Sequence, residues 1–318
     1  MPLTSDQATL DTANNVLAMF KGAFGTPGGF RPAHAKGLLL EGTFQPTAEA
    51  KGLTKAHHFN SASTPVTVRF SDSTGIPAIP DNDANASPRG FAVRFHLPEE
   101  NGKRKHTDII GHSTPFFPAP TGQEFANLFR AIGASSQPDL PHPTPIEKYL
   151  SEHPAALAFV TAPKPFPHSW ATESYYALNA FKFVNSEGEE TFIRYEIVPE
   201  AGRAHYSDEE AKALSPNYLS EEIKERIAKG SVGLKLLAQV AEAEDPTDDV
   251  TKKWPEDRKK VELGTITLTS LVADDAATQK KTIFDPIPRV DGIEPSADPI
   301  LEFRAALYLI SGRERRSA

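Results

Sequence analysis

The segment NAFKFVNSEGEETFIRYEIV, residues 179–198, contains two runs of strand-forming residues joined by a short polar turn. The runs are 179–185 and 191–198, and the turn between them is Ser186-Glu187-Gly188-Glu189. Two such runs separated by a few residues that include glycine predict a β-hairpin. The segment therefore predicts antiparallel pairing in this part of the chain.

Short runs of the same kind lie on both sides of this hairpin. Several alternate between apolar and polar residues, as Val66, Val68 and Phe70 do, and alternation is typical of a half-buried strand. Together with the hairpin, the runs give eight predicted strands, at 34–44, 65–71, 90–97, 107–111, 179–185, 191–198, 232–241 and 261–269. Consecutive strands have the pattern of hairpins and not of βαβ units. This favours an antiparallel α+β fold, with the strands closed into a barrel.

Helical patterns occur before, between and after the strands. The opening helix is predicted at 3–22, where apolar residues recur at helical spacing, and the glycines of 25–29 end it. The other helices are predicted at 122–133, 144–152, 207–229 and about 299–311. The chain has no internal repeat and no clear linker. We therefore expect one domain over 1–318, with its barrel core at about 31–270.

Composition excludes several classes of protein. The 318 residues carry a net charge of −8 with scattered Lys and Arg, so no extended nucleic-acid surface is expected. No run approaches 18 apolar residues, so no spanning helix and no membrane partner are expected. The absence of cysteine excludes disulfides, thiolate metal sites and cysteine catalysis. No secretory signal is visible, which predicts a cytoplasmic protein, or a periplasmic one if a signal peptide has been removed.

Arginine, histidine, serine and tyrosine recur in short motifs near the ends of the predicted elements. The motifs are Arg31-Pro32-Ala33-His34, Arg69-Phe70-Ser71, PRGFAVRF at 88–95, GHSTPFF at 111–117, and Arg304-x-x-x-Tyr308. Arg69 and Ser71 share one face of a strand because they are two residues apart. Arg304 and Tyr308 share one face of a helix because they are four apart.

In this order and at nearly these spacings, the motifs resemble those of the haem catalases. The resemblance continues in DVTKKWP at 249–255, LGTITL at 263–268, FDP at 284–286 and GIEPS at 292–296, and it runs from about Arg31 to Arg315. A typical catalase continues well past its proximal tyrosine, whereas ten residues follow Tyr308 here. The chain is thus similar to the short catalase-related peroxidases, or minimal catalases. The fold this implies is a catalase-like eight-stranded antiparallel β-barrel with helical insertions and a C-terminal helix that carries the haem-ligand tyrosine.

The resemblance also implies a haem site, with haem b as the cofactor. Tyr308 matches the tyrosine that ligates the iron, and the guanidinium of Arg304, one helical turn away, favours its phenolate form. His34 matches the catalytic histidine that moves a proton between peroxide oxygens, and Ser71 matches the serine that orients it. Five further residues match haem-binding positions: three arginines that neutralise the propionates and two phenylalanines that pack near the haem. These are Arg31, Arg69 and Arg315, with Phe117 and Phe125.

Two positions depart from the family pattern. His112 stands where the family has the distal asparagine that helps to hold peroxide over the iron. Ser87 stands where the family has the channel aspartate that helps to draw peroxide in. Taken alone, each matched residue also has an ordinary structural interpretation: a surface tyrosine, a histidine at a strand start, or phenylalanines packed in a core.

The activity implied by the resemblance is a haem-dependent peroxidase. It would reduce hydrogen peroxide, and organic peroxides as a further class, with a small organic electron donor, and it would keep weak catalase activity because His112 and Ser87 alter the distal side. Three alternatives stay open: a hydroperoxide isomerase of the allene oxide synthase kind, a non-catalytic haem carrier or peroxide sensor, and an unrelated barrel that binds an apolar ligand. A homodimer is a further expectation.

Overall fold

The computed structural model describes residues 2–318 and contains every predicted strand. The strands are β1 (Gly37–Pro46), β2 (Thr64–Ser71), β3 (Gly90–Glu100), β4 (Lys103–His112), β5 (Phe166–Pro167), β6 (Tyr175–Val184), β7 (Glu190–Pro199), β8 (His205–Tyr206), β9 (Val232–Val240), β10 (Lys260–Leu271) and β11 (Ile293–Pro295). The α-helices are α1 (Gln7–Phe24), α2 (Ala48–Leu53), α3 (His57–Asn60), α4 (Gly122–Ala134), α5 (Pro145–Glu152), α6 (Pro154–Thr161), α7 (Asp208–Lys212), α8 (Tyr218–Lys229), α9 (Asp275–Lys281) and α10 (Pro299–Ser317). Short 3₁₀ helices occupy Ala84–Ala86 and Trp170–Thr172.

Eight of these strands close into an antiparallel barrel in the order β1-β2-β3-β4-β6-β7-β9-β10, and β10 pairs again with β1. This confirms the predicted fold class. The hairpin at 179–198 forms as expected, with Phe181 opposite Ile193. Strands β5 and β8 form a separate two-stranded sheet.

The seam between β4 and β6 is the weakest pairing of the barrel. The two strands share one residue pair, His112 with Tyr176, whereas most neighbouring pairs run for seven or more residues. The far half of β6 pairs with β11 instead, with Ile293 opposite Phe183. The barrel wall is therefore interrupted next to His112.

Two apolar clusters support the fold. The interior of the barrel is filled by aromatic and aliphatic side chains, among which the rings of Phe44, Phe59 and Phe95 are fully buried and lie edge to face. A second cluster lies outside the barrel, where α1, α4 and α10 pack together through residues such as Phe20 and Phe303. Burial of apolar surface in both places is the main force that holds the helices on the barrel.

Several predicted boundaries were wrong. β1 begins at Gly37 and not at residue 34, because His34 has a φ of 55°, which no strand residue adopts. α1 begins at Gln7, where Asp6 caps it, and not at residue 3. α10 continues to Ser317, six residues past the predicted end at 311, and the predicted helix at 207–229 is two helices, α7 and α8. Among residues 2–318, no helix is both long and apolar enough to cross a membrane.

Candidate active site

A cavity of about 920 Å³ lies beside the interrupted seam, and it brings the predicted site residues together. All ten line it: Arg31, His34, Arg69, Ser71, His112, Phe117, Phe125, Arg304, Tyr308 and Arg315. They come from segments nearly three hundred residues apart, on β2, β4, α4, α10, the loop before β1 and the loop after β4. The fold therefore assembles one site from motifs that are scattered along the sequence.

His34 is held against the barrel by local geometry. Its left-handed backbone, with φ at 55°, is rare for a residue other than glycine and costs on the order of 1–3 kcal/mol. Its Nδ1 lies 3.2 Å from Ser71 Oγ, and the backbone carbonyl of His34 accepts a hydrogen bond of 2.9 Å from Arg69 Nη2. A Cβ on Gly90 would lie 2.7 Å from Nδ1, so only glycine leaves room for the ring there.

The imidazole of His34 is neutral at pH 7. Burial lowers its pKa to about 4, and the positive charge of Arg69 acts in the same direction. A neutral imidazole can accept a proton, and Ser71 fixes the orientation of its ring. His34 thus has the chemical state and the placement that a general base requires.

α10 carries the tyrosine into the same cavity. Arg304, Tyr308, Ser311 and Arg315 all line the cavity from this one helix, at spacings of four, three and four residues. Arg304 Nε donates to the Tyr308 hydroxyl at 3.3 Å, and the guanidinium carbon lies 5.5 Å from the centre of the phenol ring. The predicted arginine–tyrosine pair is therefore formed.

Behind Arg304 lies a hydrogen-bonded chain that the sequence analysis missed. Arg304 Nη1 donates to Asn179 Oδ1, and Asn179 Nδ2 donates to Asp298 Oδ2 at 2.8 Å. Asp298 also caps the first turn of α10, and burial raises the pKa of its carboxyl. The Asp-Pro pair at 298–299 is a helix-start signal that identifies the cap from sequence, but no local pattern links it to Asn179.

Three arginines line the cavity without an acidic partner: Arg69 and Arg315 are buried, and Arg31 is half-buried. Within residues 2–318, none of Arg31, Arg69 and Arg315 forms an ion pair; Thr282 O accepts hydrogen bonds from Arg31 at 3.0 Å and from Arg315 at 2.6 Å. Burial and mutual repulsion lower the pKa of Arg69 to about 9 and that of Arg31 well below its usual range. Buried cations need a counter-charge, so these arginines are suited to an anionic group.

His112 lies half-buried at the seam, and its imidazole is neutral at pH 7. Its Nδ1 accepts a hydrogen bond of 3.1 Å from the backbone N–H of Thr114, while its Nε2 has no partner. Burial lowers its pKa to about 3, and the nearby His34 adds to the shift. The ring centres of Phe117 and Phe159 both lie 6.3 Å from that of His112.

Comparison with known proteins decides the family. The family model "Catalase" matches residues 30–318. The chain belongs to the catalase family. It is 33% identical over 311 residues to a catalase-related peroxidase of Synechococcus elongatus, with coverage of 97% of this chain and 90% of that protein. It is 32% identical over 307 residues to a catalase-related peroxidase of Mycolicibacterium paratuberculosis, with coverage of 96% and 95%. Among solved structures, a fungal catalase superposes with a TM-score of 0.80 at 23% identity, over 95% of this chain and 62% of that one.

This catalase-family protein is accordingly an oxidoreductase of the haem peroxidase type that acts on peroxide. Catalase-family proteins use haem, and the cavity fits that group. Haem combines a flat apolar ring with two propionates at one edge. The stacked rings of Phe117 and Phe125, with centres 5.0 Å apart, form an apolar wall, and the three unpaired arginines supply the cationic edge.

Proposed function

We propose that this protein binds haem b and reduces hydrogen peroxide, and organic peroxides, with a small organic electron donor, while it keeps weak catalase activity. The observation that carries the proposal is the single cavity in which His34 and Tyr308 meet three arginines that lack acidic partners. A non-catalytic haem carrier has no need of a histidine held neutral in a strained backbone conformation.

Each residue has a role in this proposal. Tyr308 Oη ligates the iron, and the positive charge of Arg304, held by the chain through Asn179 to Asp298, favours the phenolate. Arg31, Arg69 and Arg315 bind the propionates by charge-assisted hydrogen bonds. Phe117 and Phe125 pack beside the macrocycle.

When bound, haem supplies a redox-active iron that takes up the oxidising power of peroxide. The protein's part is to move the proton. His34, neutral above a pH of about 4, would accept the proton of one peroxide oxygen and donate it to the other oxygen, which would leave as water. Ser71 holds the ring through Nδ1 so that its other nitrogen is free for this transfer.

We attribute the weak catalase activity to His112, on the distal side of the site. In the catalase reaction a second molecule of hydrogen peroxide is the electron donor, and it must be held in a defined position. The family's asparagine helps to hold it, and this asparagine is replaced here by His112. The Nδ1 of His112 is already engaged by Thr114, and a bulkier ring occupies the seam. An organic donor needs no such placement, so oxidation of the donor is favoured over release of oxygen.

The test is an optical spectrum together with two assays on one preparation. The proposal predicts a brown protein with a Soret band, peroxide-dependent oxidation of an organic donor and little release of oxygen. Conversion of a lipid hydroperoxide without consumption of donor would favour the isomerase alternative, and a colourless protein that takes up no haem would contradict both.

A further inference from the structure

Of the three cavity arginines, Arg69 is held by a side chain as well as by the backbone. Within residues 2–318, Arg31 and Arg315 donate only to backbone carbonyls. Arg69 Nε donates instead to Gln279 Oε1, at 2.7 Å. Gln279 lies on α9 and does not line the cavity, so it acts on the site through Arg69.

The other two nitrogens of the Arg69 guanidinium differ in what they contact. Nη2 donates to the backbone carbonyls of His34 at 2.9 Å and of Ala35 at 3.3 Å. Gly37 leaves room for the group, since a Cβ there would lie 2.6 Å from Nη2. Nη1 forms no hydrogen bond to any of residues 2–318. Because Arg69 lines the cavity, Nη1 is the nitrogen that remains to donate to a bound anion.

A hydrogen-bonded chain connects Gln279 to a carboxylate. Gln279 Nε2 donates to Asp275 Oδ2 at 2.7 Å and to the Gly37 carbonyl at 3.0 Å, and these bonds direct the amide oxygen to Arg69. Asp275 Oδ1 accepts a further bond of 2.9 Å from the backbone N–H of Leu39. The carboxylate therefore anchors the amide, and its charge acts on Arg69 across the width of that amide and not by contact.

We propose that Gln279 is a positioning residue that fixes the Arg69 guanidinium with a neutral acceptor and so leaves its positive charge for a bound carboxylate, the haem propionate. The proposal rests on the proposed function for the identity of that anion. A carboxylate in place of the Gln279 amide would hold the same nitrogen more tightly, but it would compensate the buried cation before any ligand does. It would also repel an anion that approaches Nη1.

The experiment measures how fast the haem-loaded protein loses haem to an excess of apomyoglobin. Gln279→Met removes the acceptor for Arg69 Nε and should make haem loss about tenfold faster, the value of one hydrogen bond to a charged group. Gln279→Glu combined with Asp275→Asn keeps the net charge and an acceptor for Nε, but it moves the negative charge into contact with Arg69. This double variant should also lose haem about tenfold faster, because the carboxylate repels the propionate.

A matched control lies on α1, where Gln7 Nε2 donates to Asp11 Oδ1 at 2.8 Å across the same four-residue spacing. Neither residue lines the cavity, so Gln7→Glu combined with Asp11→Asn should leave the rate of haem loss at the wild-type value. The two Gln279 variants separate control of charge from structural support. Support alone predicts faster loss only in Gln279→Met, because the double variant still holds Arg69.

Three results would overturn the proposal: a wild-type rate of haem loss in Gln279→Met, a wild-type or slower rate in the double variant at 275 and 279, or equal acceleration in the α1 control. The rate of reaction of the wild-type protein with hydrogen peroxide separates this proposal from the proposed function. A wild type that reacts with peroxide, with Gln279 variants that keep their haem, contradicts the role of Gln279 alone. Variants that lose haem as predicted, from a wild type that does not react with peroxide, contradict the peroxidase alone.

Discussion

Two histidines, His58 in the core and His34 at the cavity, are both neutral at pH 7, yet their surroundings differ. His58, on α3, is fully buried with its ring centre 4.1 Å from that of Phe59 and 4.6 Å from that of Phe95. Neither of its ring nitrogens has a hydrogen-bond partner, and burial lowers its pKa to about 3. His34 has a similarly lowered pKa, of about 4, but it contacts Ser71 and borders the cavity.

The difference shows what distinguishes a site from a core position. A lowered histidine pKa reports desolvation of the ring, which both residues share. Only His34 combines it with a hydrogen-bonded orientation, a left-handed backbone and a neighbouring glycine that makes room for the ring. Strain that the surrounding structure maintains is typical of functional positions. We therefore expect substitutions at the two histidines to affect different properties.

Removal of the base should have the largest effect. His34→Ala should slow the reaction of the haem-loaded protein with peroxide by roughly 10²–10⁴-fold while haem stays bound, because positioned proton transfer contributes about that much. Stopped-flow mixing with peroxide measures the rate, and His58→Phe is the control that should leave it unchanged. A rate for His34→Ala within threefold of wild type would exclude the role.

The same assay has a defined pH dependence. Because the pKa of His34 is lowered to about 4, the base stays neutral and the rate should be flat from pH 7 down to about 5. Below that it should fall as His34 becomes protonated and can no longer accept a proton. A rate that falls through about pH 6.5, the ordinary value for histidine, would show that burial does not control this group.

Loss of the orienting hydroxyl should have a smaller effect. Ser71→Ala removes the contact to His34 Nδ1 and should slow the peroxide reaction about tenfold, the value of one hydrogen bond. Ser71→Thr keeps the hydroxyl and should restore most of the rate. If Thr fails to rescue, or if Ala leaves the rate unchanged, Ser71 does not position the histidine.

Restoring the family's residues at positions 112 and 87 should change the ratio of oxygen release to donor oxidation. His112→Asn, alone or with Ser87→Asp, should raise oxygen release severalfold relative to donor oxidation, because the amide is smaller and the aspartate restores a charge that steers and orients peroxide. An oxygen electrode and a donor-oxidation assay on the same preparations measure the ratio. An unchanged ratio in both variants would contradict the assignment of the weak catalase activity to these two positions.

At the core histidine the effect should be on stability alone. His58→Phe replaces two unpaired buried nitrogens and should raise the free energy of unfolding by about 1–3 kcal/mol. In the wild type the folded pKa is below the unfolded one, so stability is lost as pH falls from about 6.5 towards 3, by up to about 1.4 kcal/mol per pH unit. The gain from the substitution should therefore grow over that range in urea titrations, and a gain that does not change with pH would contradict this account.

Much of the fold could be predicted from the sequence because local patterns specify it. Alternation and turn residues located all eight barrel strands, and the i, i+4 spacing placed Arg304 beside Tyr308. The end of α10 was missed because GRERRS, after Ser311, has no apolar periodicity; the helix continues there because Arg315 and Arg316 donate to the carbonyls of Lys280, Lys281 and Thr282.

Other features depend on contacts that no local pattern encodes. The left-handed conformation of His34 arises from Ser71, Arg69 and Gly90, which come from other segments of the chain. Asn179 was not identified because it lies 119 residues from Asp298. The cavity itself was expected only from the resemblance, since motif spacing alone does not show that β4 and β6 separate beside His112.

The central claim is that Tyr308 ligates the iron of a haem bound in this cavity. Resonance Raman spectroscopy of the wild-type protein and Tyr308→Phe, both loaded with haem, examines that bond itself. We predict phenolate–iron bands in the wild type and, in the variant, loss of haem or bands of a different ligand. An unchanged spectrum with unchanged peroxidase activity in Tyr308→Phe would contradict the claim.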